Sequence, residues 1–248
     1  MEILVTGGTG TLGRALVARL RADGHLPRVL SRRPGDGRIV GDLETGAGVP
    51  EAVRGVDTVV HAATRFGHDV PAAARLLKAA RDADVRHLVF ISIVGIDRVP
   101  YRYYRDKQRV ERLIEDGGVP WTILRATQFH DLLAMLFGAL SRSPVLPVLA
   151  GAPFQPVDVR DVADRLAALA VAEPAGRVPA LAGPQIRPMA DLARAWLHAT
   201  GRHRLVLPVR APGAFARAVR AGGLVAPSHA DGRITFDEYL AARTSVRS

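Results

Sequence analysis

Over its first two-thirds the chain alternates short apolar runs with segments whose apolar residues recur every third or fourth position. The runs at 3–6, 28–31, 39–42, 58–62, 87–92 and 121–125 read as strands, bounded by glycine, aspartate and arginine. Helical periodicity fills the intervals at 11–21, 50–54, 70–83, 103–116 and 129–140. In the first helix Leu12, Ala15, Leu16 and Leu20 share one face, and in a later one Val110, Leu113 and Ile114 do the same. The run after His87 is almost wholly apolar, as a strand covered on both faces would be. Strands joined by helical crossovers imply a doubly wound α/β fold with a parallel sheet over 1–141.

Beyond residue 142 prolines recur at 144, 147, 153 and 156 and the alternation lapses. Helical patterns return at 161–172, 189–199, 214–221 and 235–242, with a strand-like run at 205–207. Residues 142–248 are expected to form a small C-terminal substrate lobe packed on the same core, closing over the ligand site.

Composition narrows the chemistry. The 248 residues contain no cysteine, which excludes disulfides, thiolate metal sites and cysteine nucleophiles. No apolar stretch approaches the ~18 residues of a membrane span, and an apolar strand follows Met1 almost at once. These features point to a cytoplasmic protein with no leader and no membrane partner. The net charge of +10 is spread over single and paired arginines without aromatic interleaving. That pattern suits a field attracting an anionic small molecule better than a nucleic-acid surface. No histidine or carboxylate cluster has metal-ligand spacing, so no metal is expected.

The most informative segment is Thr6-Gly7-Gly8-Thr9-Gly10-Thr11-Leu12-Gly13, between the first strand and the first helix. Glycines at 7, 10 and 13 permit a tight turn, a close backbone approach to a diphosphate and close helix packing, in that order. The helix start adds unpaired N–H donors and partial positive charge. Thr9, Thr11 and Leu12 belong to the same cradle. The strand before it and the helix after it are the context that makes such a glycine series a dinucleotide site. About twenty residues on, where NAD-binding chains carry an acid for the ribose hydroxyl, stand Ser31, Arg32 and Arg33. A hydroxyl and two guanidinium forks suit a 2′-phosphate, so NADP(H) is expected in preference to NAD(H). Asp42 and Leu43 fall where the adenine would lie, and Ala62, Ala63 and Thr64 let the chain run close to the cofactor.

These residues, with Gly41-Asp42-Leu43, His61-Ala62-Ala63-Thr64, the run at 89–95, Tyr103-Tyr104-Arg105-Asp106-Lys107, and the segments 121–131 and 154–163, resemble the NmrA-like branch of the atypical short-chain dehydrogenase/reductase superfamily. The likeness covers nearly the whole chain. It implies a Rossmann fold and an NADPH-dependent oxidoreductase passing hydride to a small apolar carbonyl or conjugated substrate, as monomer or homodimer. That branch also contains isomerases and cofactor-sensing regulators, because the fold does not fix the reaction. The resemblance further implies a catalytic set of Tyr103, Lys107 and Ser92. In the family's dehydrogenases the ammonium holds the nicotinamide ribose and stabilises the phenolate. The phenol gives or takes the substrate proton, and a serine at the end of the fifth strand orients the carbonyl.

Two observations bear on that set. Tyr103 and Lys107 are four residues apart on one helix, so they share a face. The chain has 32 arginines but only two lysines, Lys78 and Lys107, so an amine stands in the motif of an arginine-rich protein. Ser92 precedes Tyr103 by only 11 positions, closer than in extended family members that use the full triad. Thr127, Phe129 and His130, at the end of the sixth strand beside Gln128, and Gln155 further on, are candidate substrate contacts. Asp158 and Asp161 read as caps, with Asp161 opening the helix at 161–172.

Overall fold

The computed structural model describes residues 1–245. In chain order the elements are β1 (Ile3–Thr6), α1 (Thr11–Ala22), β2 (Arg28–Ser31), β3 (Arg38–Val40), α2 (Val49–Val53), β4 (Thr58–His61) and α3 (Asp69–Asp82). There follow β5 (His87–Ile93), α4 (Arg102–Glu115), β6 (Trp121–Ala126), α5 (His130–Leu140), β7 (Val145–Leu149), β8 (Pro153–Phe154) and α6 (Val159–Val171). The chain ends with β9 (Gly176–Arg177), β10 (Arg187–Pro188), α7 (Met189–Ala199), β11 (Leu205–Val209), α8 (Ala214–Arg220), a 3-10 turn (Pro227–His229) and α9 (Phe236–Ser245). The chain divides into two compact units.

The first unit comprises Met1–Ser92, Arg102–Arg125 and Val162–Pro179. Its frame is a seven-stranded sheet in the order β3-β2-β1-β4-β5-β6-β9. The paired strands run parallel, and β1 is flanked in register by both neighbours, Val5 opposite Val29 and Val60. From β1 the chain winds outward through β2 and β3, then returns to the other side of β1 for β4, β5 and β6. The reversal puts a crevice between the carboxyl ends of β1 and β4, where open α/β sheets take their ligands.

Alternation explains the core. Leu4, Val59, Leu88, Phe90 and Ile123 point from the sheet into one cluster with Leu76, Ala80, Val110 and Ile114 of α3 and α4. In α3 the buried positions Ala73, Leu76, Leu77 and Ala80 follow the helical repeat. Across α4 and the sheet edge, Glu111 is fully buried and accepts from Arg125 Nε at 2.9 Å, Arg125 Nη2 at 2.7 Å and Arg177 Nη1 at 2.7 Å. Burial alone would raise this carboxyl. The Arg125 hydrogen bonds, with Ser92 and Arg177, outweigh it and hold the group below its ordinary range.

The second unit comprises Ile93–Tyr101, Ala126–Asp161 and the described residues from Ala180 onward. Strands β7 and β11 form a parallel pair, and β8 and β10 an antiparallel one. Neither β7 nor the two-residue strands β8, β9 and β10 were expected from the sequence. Pro147 interrupts the β7 pattern, and a two-residue strand has no periodicity to read. The third strand ends at Val40, because Asp42 N–H turns to Ala47 O at 2.8 Å. Helix α6 begins at Val159, two residues before Asp161, and Asp158 Oδ1 accepts from Arg160 N at 2.9 Å. Asp161 does not open the helix; its Oδ2 accepts from Arg233 N at 2.9 Å and Ile234 N at 3.1 Å.

Candidate active site

The site in the first unit is built from the exits of β1 and β4 and the first turns of α1, α3 and α4. Gly7 leaves β1 with φ +71°, a conformation only glycine adopts without strain, and a Cβ there would lie 2.6 Å from Ala63 N. A Cβ on Gly13 would come within 2.1 Å of Gly7 O, so the helix rides directly on the loop. Gly10 N donates to Gly7 O at 2.9 Å and closes the turn.

Gly10 is also the N-cap of α1, which has neither a side-chain capping bond nor an acidic residue in its first turn. The N–H groups of Thr11, Leu12 and Gly13 therefore have no side-chain cap that would compete with an anion. This backbone cradle, with glycine at 7, 8, 10 and 13 and a helix start without a side-chain cap, fits the diphosphate of a dinucleotide. Thr9 O accepts from Arg14 Nη1 at 2.8 Å, which places a further cation at the same turn.

At the end of β2, Ser31 Oγ accepts from Arg33 N at 3.2 Å, and the side chains of Arg32 and Arg33 are exposed. Asp42 Oδ1 is engaged by Glu44 N at 2.9 Å, and Leu43 packs against the core cluster. Ala62 N donates to Thr6 O at 3.2 Å, holding the segment after β4 against β1.

Tyr103 and Lys107 sit on the first two turns of α4. Tyr103 is partly exposed, and its hydroxyl lies 2.8 Å from Thr64 Oγ1. Lys107 is buried, with Nζ 5.2 Å from the Phe90 ring centroid and 5.7 Å from that of Tyr103. Its ammonium pairs with Asp69 Oδ2 at 3.0 Å. The same Oδ2 accepts from Thr64 Oγ1 at 2.8 Å, while Oδ1 accepts from Arg65 N at 2.5 Å. Phe66 stacks over Tyr103 with centroids 5.8 Å apart and planes 25° apart.

Behind them, His61 Nδ1 meets Thr6 Oγ1 at 2.7 Å and the ring stacks on Phe90 at 5.4 Å. Burial, helped by the Lys107 ammonium and opposed by Asp69, pushes His61 down to about 3, so the ring is neutral.

Thus Tyr103, Lys107 and Thr64 come together as a group at the mouth of the β1/β4 crevice. Ser92 makes no hydrogen bond to them. It is buried with its hydroxyl beside the Glu111 carboxylate, without a hydrogen bond of ordinary geometry. Glu111 is two helical turns from Tyr103, about 12 Å along the axis. Asp69 was not anticipated. An acid in the first turn of a helix reads as a partner of the dipole, and only the approach of α3 to α4 shows its second role.

In the second unit, Thr127 Oγ1 is buried with no hydrogen-bond partner, and Phe129 is the partly exposed N-cap of α5. His130 is fully buried between Phe236 and Tyr239, with Nε2 3.0 Å from Ile234 O. A carbonyl only accepts, so the ring proton sits on Nε2, and Nδ1 is left as an acceptor without a partner. Burial lowers this histidine's affinity for a second proton. Both ends of the buried Gln155 amide hold backbone: Nε2 donates to Gly183 O at 2.9 Å, and Oε1 accepts from Ala226 N at 2.8 Å. Among the described residues no group of three or more His, Asp or Glu could hold a metal, and no helix is long and apolar enough to cross a membrane.

A family model described as NAD(P)H-binding matches residues 7–170. Over 195 residues the chain is 35% identical to (4-alkanoyl-5-oxo-2,5-dihydrofuran-3-yl)methyl phosphate reductase of Streptomyces griseus subsp. griseus, covering 74% of this chain and 68% of that protein. It is 29% identical over 214 residues to NAD(P)H azoreductase of Xenophilus azovorans, covering 81% and 74% respectively. The fold matches the crystal structure of an NADPH-dependent quinone oxidoreductase from Escherichia coli complexed with NADPH, with TM-score 0.82 at 18% identity over 97% of this chain and 99% of that one. The chain belongs to the NAD(P)H-binding family that this model describes, and the Streptomyces and Xenophilus relatives are named as reductases.

Proposed function

We propose that this protein reduces a small, largely apolar carbonyl or conjugated acceptor at the expense of NADPH, with Tyr103 as the proton donor. The observation that carries the reading is the meeting of the Tyr103 phenol, the Lys107 ammonium and Thr64 at the exit of β4, beside the glycine cradle. Gly7, Gly10 and the N–H groups of Thr11, Leu12 and Gly13 would hold the diphosphate. Ser31, Arg32 and Arg33 would grip the 2′-phosphate. Lys107 would hold the ribose next to the nicotinamide, which when bound supplies the hydride.

Tyr103 would then give its proton to the anion left on the reduced substrate, with the Lys107 ammonium behind the phenol favouring that negative charge. The aromatic faces of Tyr103 and Phe66 favour a flat acceptor. The Streptomyces relative is named for reducing a phosphate ester of an alkanoyl-oxo-dihydrofuran, and the Xenophilus relative for reducing azo compounds. Both names describe conjugated acceptors, which supports that substrate class here. Thr127, with its buried unpaired hydroxyl, is the second unit's candidate for a ligand contact.

The test is NADPH oxidation by the purified chain with menadione, an azo dye, a cyclic enone and a butenolide. At least one should be consumed, and Tyr103→Phe should lose most of that turnover while still binding NADPH. Tight NADPH binding with none of the four reduced would instead mark a cofactor sensor.

A further inference from the structure

Counting protons around Thr64 leads to an arrangement that the reading above does not contain, though it rests on Tyr103 being the proton donor. Thr64 Oγ1 lies 2.8 Å from both Asp69 Oδ2 and the Tyr103 hydroxyl. An ionised carboxylate only accepts, and a threonine hydroxyl has one proton. With Lys107 and Arg65 N already donating to Asp69, the carboxylate is ionised, and Thr64 spends its proton there. Its remaining lone pairs can only accept, so the Tyr103 proton points at Thr64.

We propose that Thr64 and Asp69 are positioning residues forming a hydroxyl rotor. Thr64 donates to Asp69 while Tyr103 is protonated and turns to donate to the phenolate once that proton has gone to substrate. In the step, the phenol O–H bond breaks and its proton forms a new bond to the substrate anion. No bond of Thr64 breaks; its hydroxyl changes acceptor. Asp69 tolerates the loss because Lys107 and Arg65 N still satisfy it. The partly exposed phenol regains its proton from water.

About Tyr103 stand the Lys107 ammonium, 5.7 Å from its ring, and Tyr104, with ring centroids 6.2 Å apart; Asp69 reaches the phenol through Thr64, and His61 lies behind Phe90. His61 stays neutral over the working range, and the carboxylate linked to the phenol through Thr64 is that of Asp69.

The experiment uses the full chain as Thr64→Val, Thr64→Ser, Asp69→Asn and Tyr103→Phe. Near-ultraviolet absorbance follows tyrosinate formation with pH, and subtracting the Tyr103→Phe curve isolates Tyr103 without any substrate. Thr64 is exposed, so the expected effect is that of one modest hydrogen bond. Thr64→Val should move the Tyr103 transition upward by roughly half to one pH unit. Thr64→Ser should restore it, and Asp69→Asn should move it downward. With menadione and NADPH, Thr64→Val should lower kcat several-fold and leave KM for NADPH within about twofold.

A Thr64→Val transition coincident with the native one would overturn the rotor. Menadione turnover retained in Tyr103→Phe would overturn the proton-donor reading instead, and the absorbance result would still stand or fall by itself.

Discussion

Lys107 Nζ lies 3.0 Å from Asp69 Oδ2 with both side chains 5% exposed, joining the second turn of α4 to the first residue of α3. Such a pair is strongly bound once formed, but each charge is expensive to leave alone. In a chain with 32 arginines, the partner of this carboxylate is one of two lysines. A compact ammonium fits between Phe90, Tyr103 and Asp69, where a planar guanidinium of greater reach would need repacking.

Lys107→Met should therefore destabilise the fold by about 3 kcal/mol, at the low end for a broken buried pair because Thr64 and Arg65 N still serve Asp69. For a chain of this size that corresponds to a fall in Tm of about 10 °C. Adding Asp69→Asn should return more than half of the loss. Thermal unfolding of the two single variants and the double variant measures the coupling, and additive losses would show that the pair carries no interaction of its own.

How far the sequence discloses this site depends on the range of the interactions. The strands and crossovers of the first unit are legible because each buried face writes its period into neighbouring residues. The glycine cradle is legible because backbone proximity excludes side chains at fixed spacing. Asp69 and Gln155 are different. Their roles come from partners brought in by the fold, Lys107 across two helices and Gly183 and Ala226 across loops. Ser92 illustrates the same limit. Its position at the end of β5 is readable, but that the carboxylate beside it is Glu111, held by Arg125 and Arg177, comes from residues that only the fold brings together.

Cofactor choice should rest on Arg32 and Arg33. Both side chains are exposed, and Ser31 Oγ at this strand end accepts from Arg33 N. Two charge-assisted forks on a phosphate dianion are worth about 1.5–3 kcal/mol each before solvent screening, and less at a surface. The double variant Arg32→Ala/Arg33→Ala should weaken NADPH by about 10- to 100-fold and NADH by less than about threefold. Calorimetric titration with each nucleotide measures both. Equal losses would remove the 2′-phosphate from this end of the sheet.

Acid sensitivity should come from His61 before it comes from the carboxylates. Burial holds the folded ring's transition at about 3, against 6.5 for the free side chain, so below 6.5 the unfolded chain binds a proton that the folded one refuses. The contribution is complete above 6.5 and is lost as pH falls toward 3, at about 1.4 kcal/mol per pH unit once the unfolded side chain is fully charged. His87 and His130 are lowered by burial too and act in the same direction. Glu111 and Asp158 are also held below their ordinary values, but their stabilisation is lost only below 4.5 and 3.8. Between about pH 6.5 and pH 5 the histidines therefore dominate the slope. Urea unfolding across that window should show stability falling with acid, and His61→Gln should make the slope shallower. An unchanged slope in that variant would mean that the native ring accepts its proton within the fold.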